Sequence, residues 1–314
     1  MTLKKIRVVV VGMGVQGNKR AQIAGKELVA TIDIKAKNGD FDDIDKINDQ
    51  LYDAVLICVP DSVKFNLIKK ILNKKKHILV EKPLFFENKQ KLTILQRVAN
   101  KKNVLLYTAY NHRFEPHFIN MKSSIEKKEF GKIYRIRMFY GNGTSLLVKN
   151  SPWRDKGAGV ILDIGSHLLD TLLFWFKDKK IKIIDIKKFC FENSSPDHAI
   201  ITGKINNIFF ELEVSLLSWR NDFICDVIGD KGSGHINSLC KWGPSKFIKR
   251  NRVFPAGKPD EKIITLKQLD PTWDREYLHF KKLIRCKTKT NLKNDDKIFQ
   301  LFKSILNEDH SWLK

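Results

Sequence analysis

The 314-residue sequence contains few cysteines, and they lack the arrangements that give cysteine a structural role. The five are Cys58, Cys190, Cys225, Cys240 and Cys286, an odd and widely scattered set without a C-x-x-C pair. This pattern excludes a disulfide framework and a cysteine-based zinc site. Because Cys58 lies inside an apolar run, we interpret it as a small buried hydrophobic residue.

Long apolar segments and targeting segments are also missing from the sequence. No apolar run approaches the roughly 20 residues that a transmembrane helix needs. Met1–Ile6 leads into a strand-like run without a signal-peptide cleavage pattern, and there is no internal repeat. We therefore expect a cytoplasmic protein without a membrane partner. The length is sufficient for two domains, each with its own core.

Acidic residues are scarce relative to basic ones: 35 Asp and Glu against 58 Lys and Arg give a formal charge of +23. A positive field of this size favours acidic substrates, nucleic acid or anionic membrane surfaces. The lysines are spread along the whole chain, however, and form no patterned basic motif. Lys, Ile and Asn are all abundant and share A/T-rich codons. We therefore attribute the charge to genome composition and expect no specific nucleic-acid partner.

Strand and helix patterns alternate over residues 1–116. Helices are predicted from the glycine-rich turn to about residue 24, at 63–72 and at 89–100, and strands at 6–11, 28–34, 53–59, 77–80 and 104–108. Most of the strands are continuous apolar runs, as expected for parallel strands that are covered on both faces. The alternation predicts an α/β domain of the Rossmann type over residues 1–116.

The pattern changes after about residue 116. Period-two alternation marks 132–140 and parts of 181–189, 200–218 and 223–228, and late helices are predicted only at about 275–284 and 296–306. We predict an α+β C-terminal domain over residues 117–314, with a large, mainly antiparallel open sheet. The few helices cannot cover both faces of this sheet, so we expect it to serve substrate binding and oligomerisation.

A glycine-rich turn with the pattern G-x-G-x-x-G follows the first predicted strand and precedes a helix. In dinucleotide-binding domains the first glycine permits a tight turn, the second lets the backbone approach the pyrophosphate, and the third lets helix and strand pack closely. The phosphates then lie at the helix N-terminus. The motif predicts a cofactor site that includes Gly12, Gly14, Val15, Gln16 and Gly17.

Asp33 stands at the end of the second predicted strand, at the spacing at which an acidic residue accepts hydrogen bonds from the ribose hydroxyls. Its charge would repel a 2′-phosphate, so NAD is predicted as the cofactor, with NADP possible. Lys35 and Lys37 follow closely and could soften the preference. The alternative is a glycine-rich turn without a ligand and an aspartate that caps a strand end.

A second motif, G-x-G-x-x-x-D-x-G-x-H, sets Asp163 four residues before His167. His167 can take a proton from a hydroxyl, because an unperturbed imidazole titrates near neutrality. If a helix begins there, Asp163 lies on the same face and can orient the ring. The alternative is a helix-capping carboxylate beside a partly buried histidine.

Other clusters do not predict a metal site. His112 and His117 flank Glu115 but lack a third ligand at a sensible spacing, so we interpret them as loop residues. The acidic segment 40–45 lacks the glycine and the terminal glutamate of a calcium loop. Trp175 lies in an apolar stripe and is interpreted as a core residue.

The tripeptide Glu81-Lys82-Pro83 follows a predicted strand and, with the glycine-rich turn, resembles the glucose–fructose oxidoreductase/inositol dehydrogenase (Gfo/Idh/MocA) family. The resemblance extends over most of the chain through the segments Tyr110–Phe114, Trp153-Arg154, Gly157–Asp170 and Ile228–Gly234. The last of these is similar to a sheet-edge turn of the family. One departure is Lys64, which stands where many members have a histidine.

The resemblance implies that Lys82, Asp163 and His167 are the catalytic residues, and that apposition of the two domains assembles their site. Lys82 would stabilise negative charge on the substrate oxygen. The resemblance further assigns Val59, Pro60, Glu81 and Lys82 to the cofactor, and Asn111, Arg113, Trp153 and Arg154 to the substrate. Arg113, Arg154 and Lys156 could anchor a carboxylate or phosphate; the alternative for each is an ordinary ion pair.

The function implied by the family is metal-independent, NAD(P)-dependent hydride transfer to or from a secondary hydroxyl or ketone of a sugar, cyclitol or sugar derivative. Family members commonly pair through the open sheet, so a homodimer or homotetramer is expected. Three alternatives stay open: a reductase of a non-sugar substrate of the biliverdin or diol type, a dinucleotide-binding sensor without turnover, and, from the charge alone, a nucleic-acid-binding protein.

Overall fold

The computed structural model describes residues 5–35, 38–177 and 179–307. The chain forms two compact units. One holds the residues up to Asn111 together with Trp273–Phe299, and the other holds His112–Thr272 and the residues from Gln300 onward. In the described ranges, no helix is long and apolar enough to cross a membrane.

Both units combine strands with helices. In chain order, the strands are β1 (Val8–Val11), β2 (Leu28–Ile32), β3 (Ala54–Ile57), β4 (His77–Glu81), β5 (Leu106–Ala109), β6 (Ile133–Gly141), β7 (Ile181–Phe189), β8 (His198–Ile205), β9 (Ile208–Ser215), β10 (Asp222–Gly229), β11 (Gly232–Asn237), β12 (Ser245–Asn251) and β13 (Glu261–Leu266). The α-helices are α1 (Val15–Ala24), α2 (Asp61–Asn73), α3 (Gln90–Lys102), α4 (Pro116–Glu126), α5 (Ser145–Lys149), α6 (Ser166–Phe176), α7 (Thr272–Arg285) and α8 (Lys293–Asn307).

The first unit is built on a parallel sheet in the order β2-β1-β3-β4-β5. Every residue of β1 and β3 is buried, because the sheet has a hydrophobic core on each face. The Rossmann-type fold is confirmed, and so are its predicted strands and helices, with small shifts at their ends. The carboxyl ends of β1 to β4 share one edge of the sheet, where ligands bind in such folds.

The sequence prediction divided the chain once, between residues 116 and 117. In the structure, the later segment Trp273–Phe299 belongs to the first unit instead. It packs with the first unit, where Tyr277 and Phe280 of α7 are buried in the same core as Val8 and Val10. The sequence pattern predicts the helix itself, but an amphipathic pattern shows only that a helix has an apolar face, not which sheet that face covers.

The second unit contains a sheet in the order β13-β12-β11-β10-β6-β9-β8-β7. All neighbouring strands are antiparallel except β6 and β9, so the predicted, mainly antiparallel sheet is confirmed. The prediction missed β11, β12 and β13. As a result, the segment Ile228–Gly234, which resembles a sheet-edge turn, joins two interior strands instead.

Arg20 of α1 is a charged residue in the interior of the first unit, with 1% of its surface exposed. Its Nη2 lies 2.7 Å from Oε2 of Glu276, its Nε donates to Oε1 of Glu81 at 2.8 Å, and its guanidinium covers the ring of Trp273. Burial alone would lower the pKa of Arg20, but the two carboxylates outweigh it and raise that pKa. This network ties α1, the end of β4 and α7 together.

Replacing Arg20 by methionine should lower the free energy of unfolding by about 3–5 kcal/mol, because removing one partner of a buried ion pair leaves Glu81 and Glu276 uncompensated. Urea unfolding followed by circular dichroism measures the change. Lys19→Met is the matched control: Lys19 is exposed and lies over the same Trp273 ring at 5.3 Å. Its loss should cost less than about 1 kcal/mol, and equal losses in the two variants would contradict the role of the network.

Candidate active site

The glycine-rich turn lies between β1 and α1, and its three glycines serve different purposes. Gly12 has a φ of +90°, and a Cβ there would overlap the carbonyl oxygen of Cys58. A Cβ on Gly17 would overlap the carbonyl oxygen of Gly12. At Gly14, in contrast, a Cβ would meet no atom of the described residues within 4 Å. Gly12 and Gly17 are therefore required by the packing of the turn, whereas Gly14 faces open space, as the pyrophosphate-facing glycine of a dinucleotide site must.

The N-terminus of α1 presents its positive end to the same space. Gly14 occupies the N-cap position, and within the described part of the chain no side chain caps the helix and its first turn contains no acidic residue. Val15 and Gln16 are both exposed. The first N–H groups and the helix dipole can therefore bind an anion. These features fit the phosphates of a dinucleotide.

Asp33 follows β2 at the same edge of the sheet. Its Oδ2 accepts a hydrogen bond from the backbone N–H of Met13 at 2.7 Å, and its Oδ1 accepts one from the N–H of Lys35 at 2.9 Å. Asp33 thus joins the end of β2 to the glycine turn, and each oxygen keeps a lone pair for a ribose hydroxyl. Lys35 is exposed, and Lys37 lies outside the described residues.

The ends of β3 and β4 complete this edge. Val59 and Pro60 follow β3, with Pro60 at the N-cap of α2. β4 ends at Glu81, and the half-buried Lys82 comes next. The carboxylate of Glu81, predicted to contact the cofactor, forms the ion pair with the buried Arg20. We therefore infer that Glu81 has a positioning role beside Lys82.

Lys64 of α2 holds the backbone on both sides of Lys82. Its buried Nζ donates to the carbonyl oxygens of Glu81 at 2.7 Å and Pro83 at 3.0 Å, and it lies 2.6 Å from Oδ1 of Asp61. The resemblance marked Lys64 only as a departure from the family pattern. No sequence signal indicated that an ammonium group would donate hydrogen bonds to this turn.

In the second unit, Asp163 does not lie on an α-helix. Residues Ile161–Gly165 form a π-helical turn, and α6 begins at Ser166. A helical segment therefore begins at this position, as predicted, but its first turn is π-helical instead of α-helical. Such wide turns occur frequently at functional sites. Oδ2 of Asp163 pairs with Nη2 of Arg154 at 3.0 Å.

His167 is buried at the start of α6, and its ring stacks on that of His112 with centroids 3.9 Å apart and planes at 18°. The ring of His112 stacks in turn on Tyr140 of β6 at 5.6 Å. The interpretation of His112 and His117 as loop residues is wrong, since both are buried, His117 within α4. No local pattern could pair His112 with a residue so distant in sequence.

Arg113 and Arg154, predicted to anchor the substrate, are both engaged in ion pairs. Arg113 makes a bidentate pair with Asp170 of α6, with Nε 2.8 Å from Oδ2. Arg154 pairs with Asp163. The alternative interpretation of these arginines, an ordinary ion pair, is thus present in both cases. Of the other predicted substrate residues, Asn111 is buried and Trp153 is exposed.

These features define a class of protein. The first unit has a parallel sheet, a glycine turn with an open central glycine and an aspartate after β2 that is hydrogen-bonded to this turn, which together fit a nicotinamide dinucleotide. The second unit has a buried, ring-stacked histidine and two carboxylate–arginine pairs. This combination is typical of a dinucleotide-dependent oxidoreductase.

Comparison with protein-family models agrees with this class. Residues 6–110 match the model of an oxidoreductase family with an NAD-binding Rossmann fold, and residues 118–235 match the GFO/IDH/MocA C-terminal domain. The chain therefore belongs to the Gfo/Idh/MocA oxidoreductase family, which binds NAD or NADP through the Rossmann domain.

Individual relatives are more distant. Glucose-6-phosphate 3-dehydrogenase of Bacillus subtilis is 24% identical over 276 residues, which cover 76% of this chain and 77% of that protein. Among solved structures, levoglucosan dehydrogenase in complex with NADH superimposes with a TM-score of 0.81 at 16% identity, with 96% of each chain covered. UDP-N-acetylglucosamine 3-dehydrogenase of Acidithiobacillus ferrooxidans gives a TM-score of 0.76 at 17% identity and the same coverage. The structural likenesses show the shared fold.

Replacing Gly14 by alanine should weaken NADH binding by at least about tenfold, equivalent to 1.4 kcal/mol, because the new methyl group enters the space of the pyrophosphate. The free energy of unfolding should change by less than about 0.5 kcal/mol, since the methyl group meets open space. Titration by intrinsic fluorescence and urea unfolding measure the two quantities. Gly17→Ala is the contrasting variant and should destabilise the fold. Wild-type NADH affinity in Gly14→Ala would refute this position for the cofactor.

Proposed function

We propose that the chain is an NAD(P)-dependent dehydrogenase or reductase that transfers a hydride between the nicotinamide and a secondary hydroxyl or ketone of a sugar, cyclitol or sugar derivative. The observation that carries the proposal is the buried, ring-stacked His167 in a chain that also has a complete dinucleotide turn. The names of relatives support the substrate class, because they include a glucose-6-phosphate 3-dehydrogenase, a scyllo-inositol 2-dehydrogenase and a levoglucosan dehydrogenase.

NAD is the proposed cofactor in preference to NADP. The carboxylate of Asp33 accepts hydrogen bonds from the N–H groups of Met13 and Lys35, and, as the proposed ribose-binding residue, it would face a 2′-phosphate with a like charge. Both cofactors occur among the relatives, which include an NADH complex and an NADP-dependent scyllo-inositol 2-dehydrogenase.

Lys82 and His167 are proposed to act on the reacting oxygen, and Asp163 is proposed to orient His167. Oxidation of an alcohol removes a hydride from carbon and a proton from oxygen, and bound NAD supplies the hydride acceptor. His167 accepts the hydroxyl proton at a ring nitrogen and acts as the general base. Lys82 donates a hydrogen bond to the same oxygen and stabilises its developing negative charge. In the reverse direction the same groups return the proton.

Two further pairs support these roles as positioning groups. Asp163, which is proposed to orient and stabilise the imidazolium, is itself held by Arg154 at 3.0 Å. Lys82 is fixed through the backbone carbonyl groups that Lys64 binds on either side of it. Neither Lys64 nor Arg154 needs to touch the substrate in order to act in this way.

His167→Ala and Lys82→Met should each reduce turnover by about two to four orders of magnitude, the usual loss on removing a general acid–base group. The dissociation constant of NADH should stay within a few-fold of wild type, because the glycine turn is unchanged. The double variant should lose little more than either single one, since the two residues act as a unit. Steady-state kinetics and fluorescence titration test this. Near-wild-type turnover by His167→Ala would show that His167 is a structural residue.

A homodimer or homotetramer is proposed, formed through the outer face of the second unit's sheet. This face exposes 36–39% of Phe209, Ile224 and Ile228, and Arg137 between them is neutralised by Glu211, whose Oε1 lies 3.3 Å from its Nε. A face on which exposed apolar side chains alternate with paired charges suits burial against a second copy. Light scattering at micromolar concentration should give at least the dimer mass, and Ile224→Glu should shift it toward the monomer. A monomeric wild type would contradict the proposal.

A further inference from the structure

One cation near the ring of His167, Lys241, has no carboxylate partner among the described residues. Lys241 lies in a single 3-10 turn, Cys240–Trp242, that follows β11. Its Nζ is 3.1 Å from the hydroxyl oxygen of Tyr140 and 4.6 Å from the centre of the Trp242 ring. The Tyr140 ring is 6.2 Å from that of His167. Lys241 is therefore one aromatic ring removed from the proposed general base.

Two other cations of this part of the second unit are neutralised. Arg113 is paired with Asp170 and Arg154 with Asp163. Lys241, in contrast, forms no ion pair within the ranges that the structure describes. The buried Glu115 adjoins the same turn, but its carboxylate binds the backbone N–H and the thiol of Cys240.

The setting of Lys241 favours an anionic ligand. An ammonium group has three donors, and the Tyr140 hydroxyl accepts from only one of them. The group is half-buried against two aromatic rings, where a charge is less well solvated than in water. A phosphate or carboxylate would satisfy the remaining donors and the charge together. The positive field of the whole chain would also draw an anionic substrate toward the site.

We propose that Lys241, held by Tyr140 and Trp242, is a specificity-determining residue that binds an anionic substituent, phosphate or carboxylate, on the sugar or cyclitol. This assignment rests on the proposed function, because it takes His167 as the place where the substrate reacts. It narrows the substrate class from sugars in general to those that carry a negative charge. The tripeptide Cys240-Lys241-Trp242 matches no recognisable sequence motif. The role of Lys241 is therefore inferred from its contact with Tyr140 in the structure.

The test compares the binding of neutral compounds with that of anionic compounds that have the same ring. Glucose, glucuronate and glucose 6-phosphate, and myo-inositol with its monophosphate, are titrated by calorimetry into the full-length protein saturated with NADH. In the wild type at least one anionic compound should bind about 10- to 100-fold more tightly than its neutral parent, as expected for a hydrogen bond to a charged group. The glucuronate and phosphate arms distinguish the two anions.

Variants of Lys241 show whether that preference depends on its charge. Lys241→Met should bring the anionic compound to within about threefold of its parent, and Lys241→Arg should keep most of the preference. Lys241→Gln, which keeps a donor for Tyr140 without the charge, provides a second neutral variant if Lys241→Met folds poorly. Lys246→Met removes an exposed lysine of β12 and should leave the preference unchanged. NADH affinity should be equal in all variants.

The outcomes separate this inference from the proposed function. A wild type that binds no anionic compound more tightly than its parent, or a preference that survives in Lys241→Gln, overturns the Lys241 assignment. If neutral sugars are oxidised with the same KM as their anionic counterparts, the proposed dehydrogenase activity is supported and the Lys241 assignment is refuted. If the preference for the anionic compound depends on Lys241 but no compound is turned over, the Lys241 assignment is supported and the proposed dehydrogenase activity is refuted.

Discussion

The buried guanidinium group of Arg20 is the constraint on which the cofactor edge of the first unit depends. A charged group that is buried away from water requires close counter-charges. Arg20 obtains them from Glu81 at the end of β4 and Glu276 on α7. Because α1 begins at the glycine turn and Lys82 follows Glu81, the same ion pairs fix the position of the glycine turn relative to the proposed charge-stabilising lysine. The buried Lys64 reinforces this arrangement by binding the carbonyl groups of Glu81 and Pro83.

In the second unit, ring stacking holds the proposed general base in position. His167 is held face to face with His112, and Tyr140 continues the stack. Stacked rings fix the plane of an imidazole while leaving the edges of the ring for hydrogen bonds and proton transfer. The Arg113–Asp170 and Arg154–Asp163 pairs neutralise their own charges. Lys241 is the cation that we propose remains for a ligand.

The sequence predicted those features that local patterns encode. The apolar runs of β1 and β3 identified parallel strands, and the G-x-G-x-x-G pattern identified the tight turn after β1, in which Gly12 and Gly17 meet local steric requirements. The resemblance around Lys82 and His167 identified the family, which the family models confirm.

Features that depend on distant contacts were beyond reach of those patterns. The packing of α7 onto the first sheet depends on tertiary contacts, as do the partners of Arg20 and Lys64. The stacking of His112 on His167 joins residues from different elements. The π-helical turn at Asp163 was missed because a spacing of four residues in the sequence does not distinguish an α-helix from a π-helix. Strand β11 was missed because it begins with Gly-Ser-Gly, which is typical of a turn. Strands β12 and β13 were missed because their alternation is weak and β13 is largely exposed at the sheet edge.

The central claim is that this chain transfers a hydride between a sugar-type substrate and a nicotinamide. The most direct measurement is NADH or NADPH formation by the purified protein with a panel of sugars, cyclitols and their phosphates and acids, including substrates deuterated at the reacting carbon. We predict turnover of at least one member, faster with NAD than with NADP, and transfer of the deuterium to the nicotinamide ring. Tight NAD binding without turnover of any member would contradict the claim and identify a dinucleotide sensor.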